Sequence, residues 1–366
     1  MEEKEFDLEE YLTAGAENIV KNAMRAALGN PRESAFLAQY ALAAGKAAKR
    51  RRQEEKRGGH VPPFLIASIT SSCNLHCRGC YARANGACGD GEEVRQLGDE
   101  AWQKIFCEAR EMGVGFILLA GGEPLLRRGV IERAGKIKEI IFPIFTNGTM
   151  IDGAYEELFD ANRNLLPILS MEGTAKRTDD RRGEGVYRLL GEALERFRKR
   201  CMLFGASITV TAENLKEVTA PEYLEELRAS GCRVVIYVEY VPVENGSDGM
   251  ALDDCERVQL SGKIAHARER FPDMVLISFP GDEKSSGGCL AAGRGFFHIN
   301  AGGGAEPCPF APYSDINVRD TSLREAMTSV LFRRLKENGV LMEEHDGGCV
   351  LFQKRAEVER LISGRS

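Results

Sequence analysis

From Pro63 onward, runs of apolar, β-branched and aromatic residues alternate with stretches whose apolar positions recur every three or four residues. That alternation is the signature of parallel strands joined by amphipathic crossover helices. The runs predict strands over residues 64–70, 115–120, 140–146, 165–171, 204–211 and 234–241, with helices over 99–112, 129–138, 153–161, 186–200 and 221–230. Six such units fit an α/β partial barrel, in which chemistry gathers where the loops after the strands converge. Residues 1–60 show no strand pattern and predict two helices broken at Gly29-Asn30-Pro31. Beyond Pro242 a polar linker leads to a helix over about 254–270, then to a smaller unit with a short apolar strand at 296–299 and a glycine-rich turn at 302–304. The expected division is a helical N-terminal extension (1–60), a barrel (61–245), a linker and helix (246–284) and a small C-terminal unit (285–366).

With 366 residues, 43% of them hydrophobic and 28% charged, the chain can bury a sizeable core. A net charge of −6 gives no global drive toward nucleic acid, so no nucleic-acid partner is expected. The second helix ends in a basic run, Lys46, Lys49, Arg50, Arg51, Arg52, Lys56 and Arg57. It reads either as a solvated helix end with cations near the C-terminal dipole or as a surface for peripheral contact with anionic membrane. The acidic start MEEKEFDLEEYL lacks a secretory pattern, and no apolar run reaches the length of a membrane span. A reducing cytoplasm is therefore expected, where clustered cysteines among a total of eleven mean metal or catalysis.

Cys73, Cys77 and Cys80 follow the first strand in a C-x3-C-x2-C spacing. Thiolates are the standard ligands of iron–sulfur clusters, and three of them leave one iron of a four-iron cubane without a protein ligand. The competing reading is a zinc knuckle on the C-x2-C pair Cys77 and Cys80, with Cys73, Cys88 or His76 completing a tetrahedron.

The triplet, Tyr81 directly after it, and Gly121-Gly122-Glu123-Pro124 at the end of the second strand together resemble the radical S-adenosylmethionine (radical SAM) superfamily, over residues 63–244. The resemblance implies a TIM-type partial (β/α)6 barrel and a [4Fe–4S] cluster on Cys73, Cys77 and Cys80, its open iron chelated by the amino and carboxylate groups of SAM. In that family an electron through the cluster cleaves SAM to methionine and a 5′-deoxyadenosyl radical, which takes hydrogen from a substrate. By the same resemblance Tyr81, Gly121, Gly122, Glu123 and Pro124 line the cofactor, with the glycine segment at the SAM amino group. Ser170 and Arg182, with Arg181 as an alternative register, would meet the ribose or carboxylate, and Glu172 the ribose hydroxyls. Asn147, after the third strand, is either a polar contact or part of an ordinary Asn-Gly turn, and Glu239 and Tyr240 end the sixth strand in reach of adenine or substrate.

The C-terminal unit resembles the Twitch or truncated SPASM extensions of this superfamily. That likeness implies an auxiliary [4Fe–4S] cluster on Cys289, Cys308 and Cys349, with Cys255, another group or no protein group at its fourth iron. Cys107, Cys201 and Cys232 sit in apolar or helical contexts and read as inert thiols. The expected partners are an electron donor such as flavodoxin or ferredoxin and a peptide substrate, with a small-molecule or lipid-linked substrate as the alternative. A metal-binding scaffold without turnover is the reading from another class.

Overall fold

The computed structural model describes residues 8–27, 30–89, 95–342 and 348–363. Nine strands form one open sheet: β1 (Phe64–Thr70), β2 (Phe116–Gly121), β3 (Phe142–Thr146), β4 (Leu165–Ser170), β5 (Gly205–Val210), β6 (Val234–Glu239), β7 (Val275–Phe279), β8 (His298–Ile299) and β9 (Ala305–Glu306). Their order is β7-β6-β5-β4-β3-β2-β1-β8-β9, and every neighbouring pair is parallel except β8–β9. The six strands expected from the apolar runs are present, with ends displaced by at most two residues.

Both faces of the curved sheet are covered, which is why the strands are apolar throughout and do not alternate with polar residues. One face carries Leu65, Ile69, Ile117, Leu119, Phe142 and Ile144 into the main core, with Trp102, Phe106, Phe159 and Phe197 of the crossover helices. The concave face carries Ile66, Leu118, Phe145, Leu166, Ile236 and Ile277, which line an interior cavity of about 860 Å³. Helices α1 (Leu8–Ala26) and α2 (Pro31–Glu55) close this cavity at the end remote from the cysteine loop. Val20, Ala23, Leu37 and Tyr40 pack there with Ile141, Ile168, Val234 and Val275. Tyr40 Oη donates to the Gly115 carbonyl at 2.8 Å.

The basic run at the end of α2 is partly internal. Arg51 is 3% exposed and donates to the Gly113 carbonyl at 2.8 Å, while Arg50 donates to the Arg110 carbonyl at 2.8 Å. Both therefore satisfy carbonyls at the C-terminal end of helix Asp99–Met112, where cations also complement the helix dipole.

Among the elements that escape the hydropathy reading, two bear on the barrel. The segment taken as linker and helix also contains β7, which pairs with β6 and extends the sheet; it is five residues long and edges the sheet. Helix Ala175–Arg182, AKRTDDRR, has no large apolar residue to set a helical period. At the other edge, β8 joins β1 through buried His298, whose Nδ1 meets Glu306 Oε2 and whose Nε2 meets Ser68 Oγ, both at 2.7 Å. No helix of the described residues is long and apolar enough to cross a membrane.

Candidate active site

The cysteine loop leaves the C-terminal end of β1 and is pinned by the segments that follow four other strands. After β2, Gly122 N donates to Thr70 O and Glu123 N to Ser72 O, both at 2.9 Å, so the ladder continues into the loop itself. The two glycines are required for that approach: a Cβ on Gly122 would lie 2.0 Å from Ser72 O, and Gly121 has φ of +128°. The close approach is therefore to the chain's own backbone. After β3, Asn147 Nδ2 donates to Asn74 Oδ1 at 2.8 Å. After β4, the Arg181 carbonyl accepts from Arg78 N at 2.9 Å. From β6, Tyr240 packs on Gly79, whose φ of +68° and 2.6 Å Cβ-to-Oη approach exclude a side chain.

Cys73, Cys77 and Cys80 are thus held half-buried and unoxidised on one short loop at the mouth of the cavity, and all three line it. A hydrogen bond with Cys88 favours the thiolate of Cys73, helped by the Leu75 backbone and the Arg83 and Arg182 cations against the cost of burial. Cys88, unassigned in the C-terminal and cluster readings, is buried beside it. Burial pushes Cys77 the other way, opposed by Arg182 and Arg181; Arg182 Nη1 lies 4.0 Å from its sulfur.

Around the loop, Glu123 is 1% exposed and its carboxylate accepts from Leu125 N, Thr146 Oγ1 and Asn147 N at 2.7–2.9 Å. Burial nevertheless pushes it up to about 7. The carboxylate caps the one-turn helix opened by Pro124 and braces two loops, while also lining the cavity. Glu172 is 2% exposed and gathers both arginines of the motif, Arg181 at 2.5 Å and Arg182 at 2.6 Å. Burial alone would raise Glu172, but Arg182 and Arg181 hold it below the usual carboxylate range. Arg181 and Arg182 both line the cavity, so the two registers left open by the sequence form one ion-paired unit. Ser170, with Ser207 and Thr209 beside it on β5, gives the cavity wall a polar band near the mouth. Tyr81 stacks edge-on against Phe310, with ring centroids 4.9 Å apart.

The second set of cysteines, far apart in sequence, surrounds one small cavity. Cys289, Cys308 and Cys349 line it together with Glu283, Phe310 and Gly348. Cys308 and Cys349 are in hydrogen-bond contact, and burial pushes both Cys289 and Cys308 up. Glu239, at the end of β6, accepts from Gly348 N at 3.0 Å and so fixes the loop that presents Cys349. Cys255 is exposed on helix Asp254–Arg270, bonded to Gln259, and does not line this cavity. Glu283 had no signal in the sequence, since it stands in the polar stretch GDEKSSGG; only its burial marks it.

Among the described residues no three of His, Cys, Asp and Glu close around a single point as the ligands of a lone ion would. Each set instead supplies three thiols facing a cavity, a donor set that fits a cluster with one cysteine to each of three irons.

The Radical SAM superfamily matches residues 67–218. The AdoMet-dependent heme synthase of Methanosarcina barkeri is 29% identical over 78% of this chain and 87% of its own length. The PqqA peptide cyclase of Rhizobium meliloti is 24% identical over 72% and 73% respectively. Among solved structures, Streptococcus suis SuiB bound to S-adenosylmethionine superposes with a TM-score of 0.62 at 16% identity, over 78% of this chain and 70% of that one. The cysteine loop at the head of an open, mostly parallel sheet and the sequence match agree: residues 67–218 are similar to the Radical SAM superfamily.

Proposed function

We propose that this protein is an enzyme that reductively cleaves SAM and uses the product to take hydrogen from a substrate lodged in the barrel. The observation that carries this reading is the placement of Cys73, Cys77 and Cys80 on one loop at the mouth of an 860 Å³ cavity, with Gly121, Gly122, Ser170 and Arg182 on its wall. Cys73, Cys77 and Cys80 would hold a [4Fe–4S] cluster, which when bound supplies the electron for cleavage of SAM. Gly121 and Gly122 set the backbone that faces the methionine end of SAM, and Glu123 and Pro124 keep that backbone in place. Arg182, oriented by Glu172, presents a cation suited to the SAM carboxylate. Ser170 and Asn147 add polar contacts, and Tyr81 shields the cluster from water. The test is anaerobic reconstitution followed by SAM and a reductant: 5′-deoxyadenosine should form, and the Cys73→Ala/Cys77→Ala/Cys80→Ala chain should form none. Equal turnover by that variant would sink the reading.

Cys289, Cys308 and Cys349 would hold the auxiliary [4Fe–4S] cluster, in a C-terminal unit taken as residues 285–366. A small one-electron protein such as flavodoxin or ferredoxin would supply electrons. For the substrate, the cavity favours a compact, mostly apolar molecule, because its deeper part is walled by Leu118, Phe145, Leu166, Ile236 and Ile277 and capped by α1. The long match to an enzyme named for heme synthesis supports this choice. A peptide is the second reading, supported by the likeness to a PqqA peptide cyclase and to SuiB, solved with its precursor peptide SuiA. Porphyrin titration read by the absorbance of the ring separates them: saturable binding supports the first, and none favours the second.

A further inference from the structure

The second cysteine cavity contains an acid that the reading of it as an auxiliary cluster site, on which this inference rests, does not yet use. Glu283 is 4% exposed and lines the same small cavity as Cys289, Cys308 and Cys349. Its Oε1 is buried without a hydrogen-bond partner among the described residues. A buried polar atom left in this way calls for an explanation, and an absent ion is one of the few available. The carboxylate also contacts the Cys289 thiol, so it already stands beside one of the three sulfurs.

The obvious competitor is that Glu283 is only the counter-charge of buried Arg294. That guanidinium, however, directs its hydrogen bonds to carbonyls: Cys289 O at 2.5 Å, Gly287 O at 3.2 Å and Ser286 O at 3.3 Å. It braces the loop carrying Cys289, while the Glu283 carboxylate accepts from the Leu290 backbone N–H and meets the Cys289 thiol. The backbone around Glu283 is fixed as well, since its N–H donates to Pro280 O at 2.7 Å and its carbonyl accepts from Ser286 Oγ at 2.6 Å. The other residue considered for the fourth position, Cys255, is exposed elsewhere. Iron accepts carboxylate oxygen, and iron–sulfur clusters tolerate a non-thiolate ligand on one side.

We infer that Glu283 is the fourth protein ligand of the auxiliary cluster, binding through a carboxylate oxygen the iron that Cys289, Cys308 and Cys349 leave open. Such a site has no vacant iron for a substrate, unlike the site at Cys73, Cys77 and Cys80.

The test uses the full-length chain carrying Cys73→Ala, Cys77→Ala and Cys80→Ala, so that only the second site is read. After anaerobic reconstitution this chain should hold about four irons. With Glu283→Gln added, mild oxidation should reduce the count to about three and produce the electron paramagnetic resonance signal of a three-iron cluster. With Glu283→Cys the count should return to about four, with a midpoint potential different from that of the glutamate form, because ligand identity sets the potential. Circular dichroism melting of each variant separates loss of a ligand from loss of fold. If Glu283→Gln keeps four irons with unchanged resonance and potential, or if Glu283→Cys fails to restore iron in a chain that melts normally, Glu283 is not a ligand. If the triple-alanine chain holds only zinc or no metal, the auxiliary-cluster reading itself is wrong and the inference falls with it.

Discussion

The two cysteine sites are built in opposite ways. Cys73, Cys77 and Cys80 lie within eight residues on one loop, whereas Cys289, Cys308 and Cys349 come from three segments brought together by β7, β8 and the loop that Glu239 holds. The first loop is half-exposed, opens on the large cavity and is faced by Arg181 and Arg182. The second is mostly buried and is faced by a carboxylate, Glu283. Positive charge suits the carboxylate of an incoming cofactor, and enclosure with a fourth donor suits a cluster that passes electrons or holds structure. The contrast teaches that three cysteines do not by themselves specify a role; the charge and opening around them do.

The largest expected difference is in turnover. Cys77→Ala should lower SAM cleavage by at least about a thousandfold, equivalent to about 4 kcal/mol, whereas Cys308→Ala should leave uncoupled 5′-deoxyadenosine formation within about tenfold. Chromatographic quantification of 5′-deoxyadenosine checks both, and equal losses would erase the proposed division of labour.

Stability should separate the two acids next. Glu172→Ala leaves two buried guanidinium groups without their partner and should cost about 3–5 kcal/mol in urea unfolding. Glu283→Ala in the cluster-free chain removes a carboxylate that at one oxygen has no partner among the described residues, so its cost should be far smaller.

Their pH behaviour is opposite in sign. Glu123 and Glu283 are raised from 4.5 to about 7 by burial, so each contributes stability that is fully present below about pH 4.5 and lost as pH rises toward 7. For either group the loss is about 3 kcal/mol at most. Glu172 is lowered, so its contribution is present above 4.5 and lost as pH falls below that value. Denaturation of the cluster-free chain from about pH 3 to 8 should show both trends, and Glu123→Gln or Glu283→Gln should each flatten the upper limb. An unchanged upper limb in both variants would refute the assignment.

What was legible in the sequence follows from the same contrast. The apolar runs and the triplet are local signals, so six strands and a loop gathering three cysteines were readable without a fold. Gly121 and Gly122 were readable as a close approach, although the partner, Thr70 to Cys73 of the same chain, was not. Helix Ala175–Arg182 is held by tertiary bonds to Glu172 and Thr209, so its own sequence carries no periodicity. Arg50 and Arg51 read as surface charge, yet their role is to meet carbonyls 60 or more residues away. Glu283 is the extreme case, because nothing in a polar loop distinguishes a buried acid from a solvated one.

The smallest expected effect tests whether the two sites are mechanically joined. Tyr81 follows Cys80 and Phe310 stands two residues after Cys308, and their rings meet edge to face at 4.9 Å with an interplanar angle of 63°. Such a pair contributes about 0.5–1.5 kcal/mol beyond the area it buries. Phe310 also lines both cavities, as do Val241, Phe279, Glu283 and Phe296, so this contact is part of the wall the two sites share. Tyr81→Leu and Phe310→Leu each remove one ring while keeping apolar volume, and a double-mutant cycle on unfolding isolates their coupling. The expected coupling is about 1 kcal/mol in the cluster-free chain. A value within about 0.3 kcal/mol of zero would mean that the sites fold as independent units, and that communication between them, if any, runs through another route.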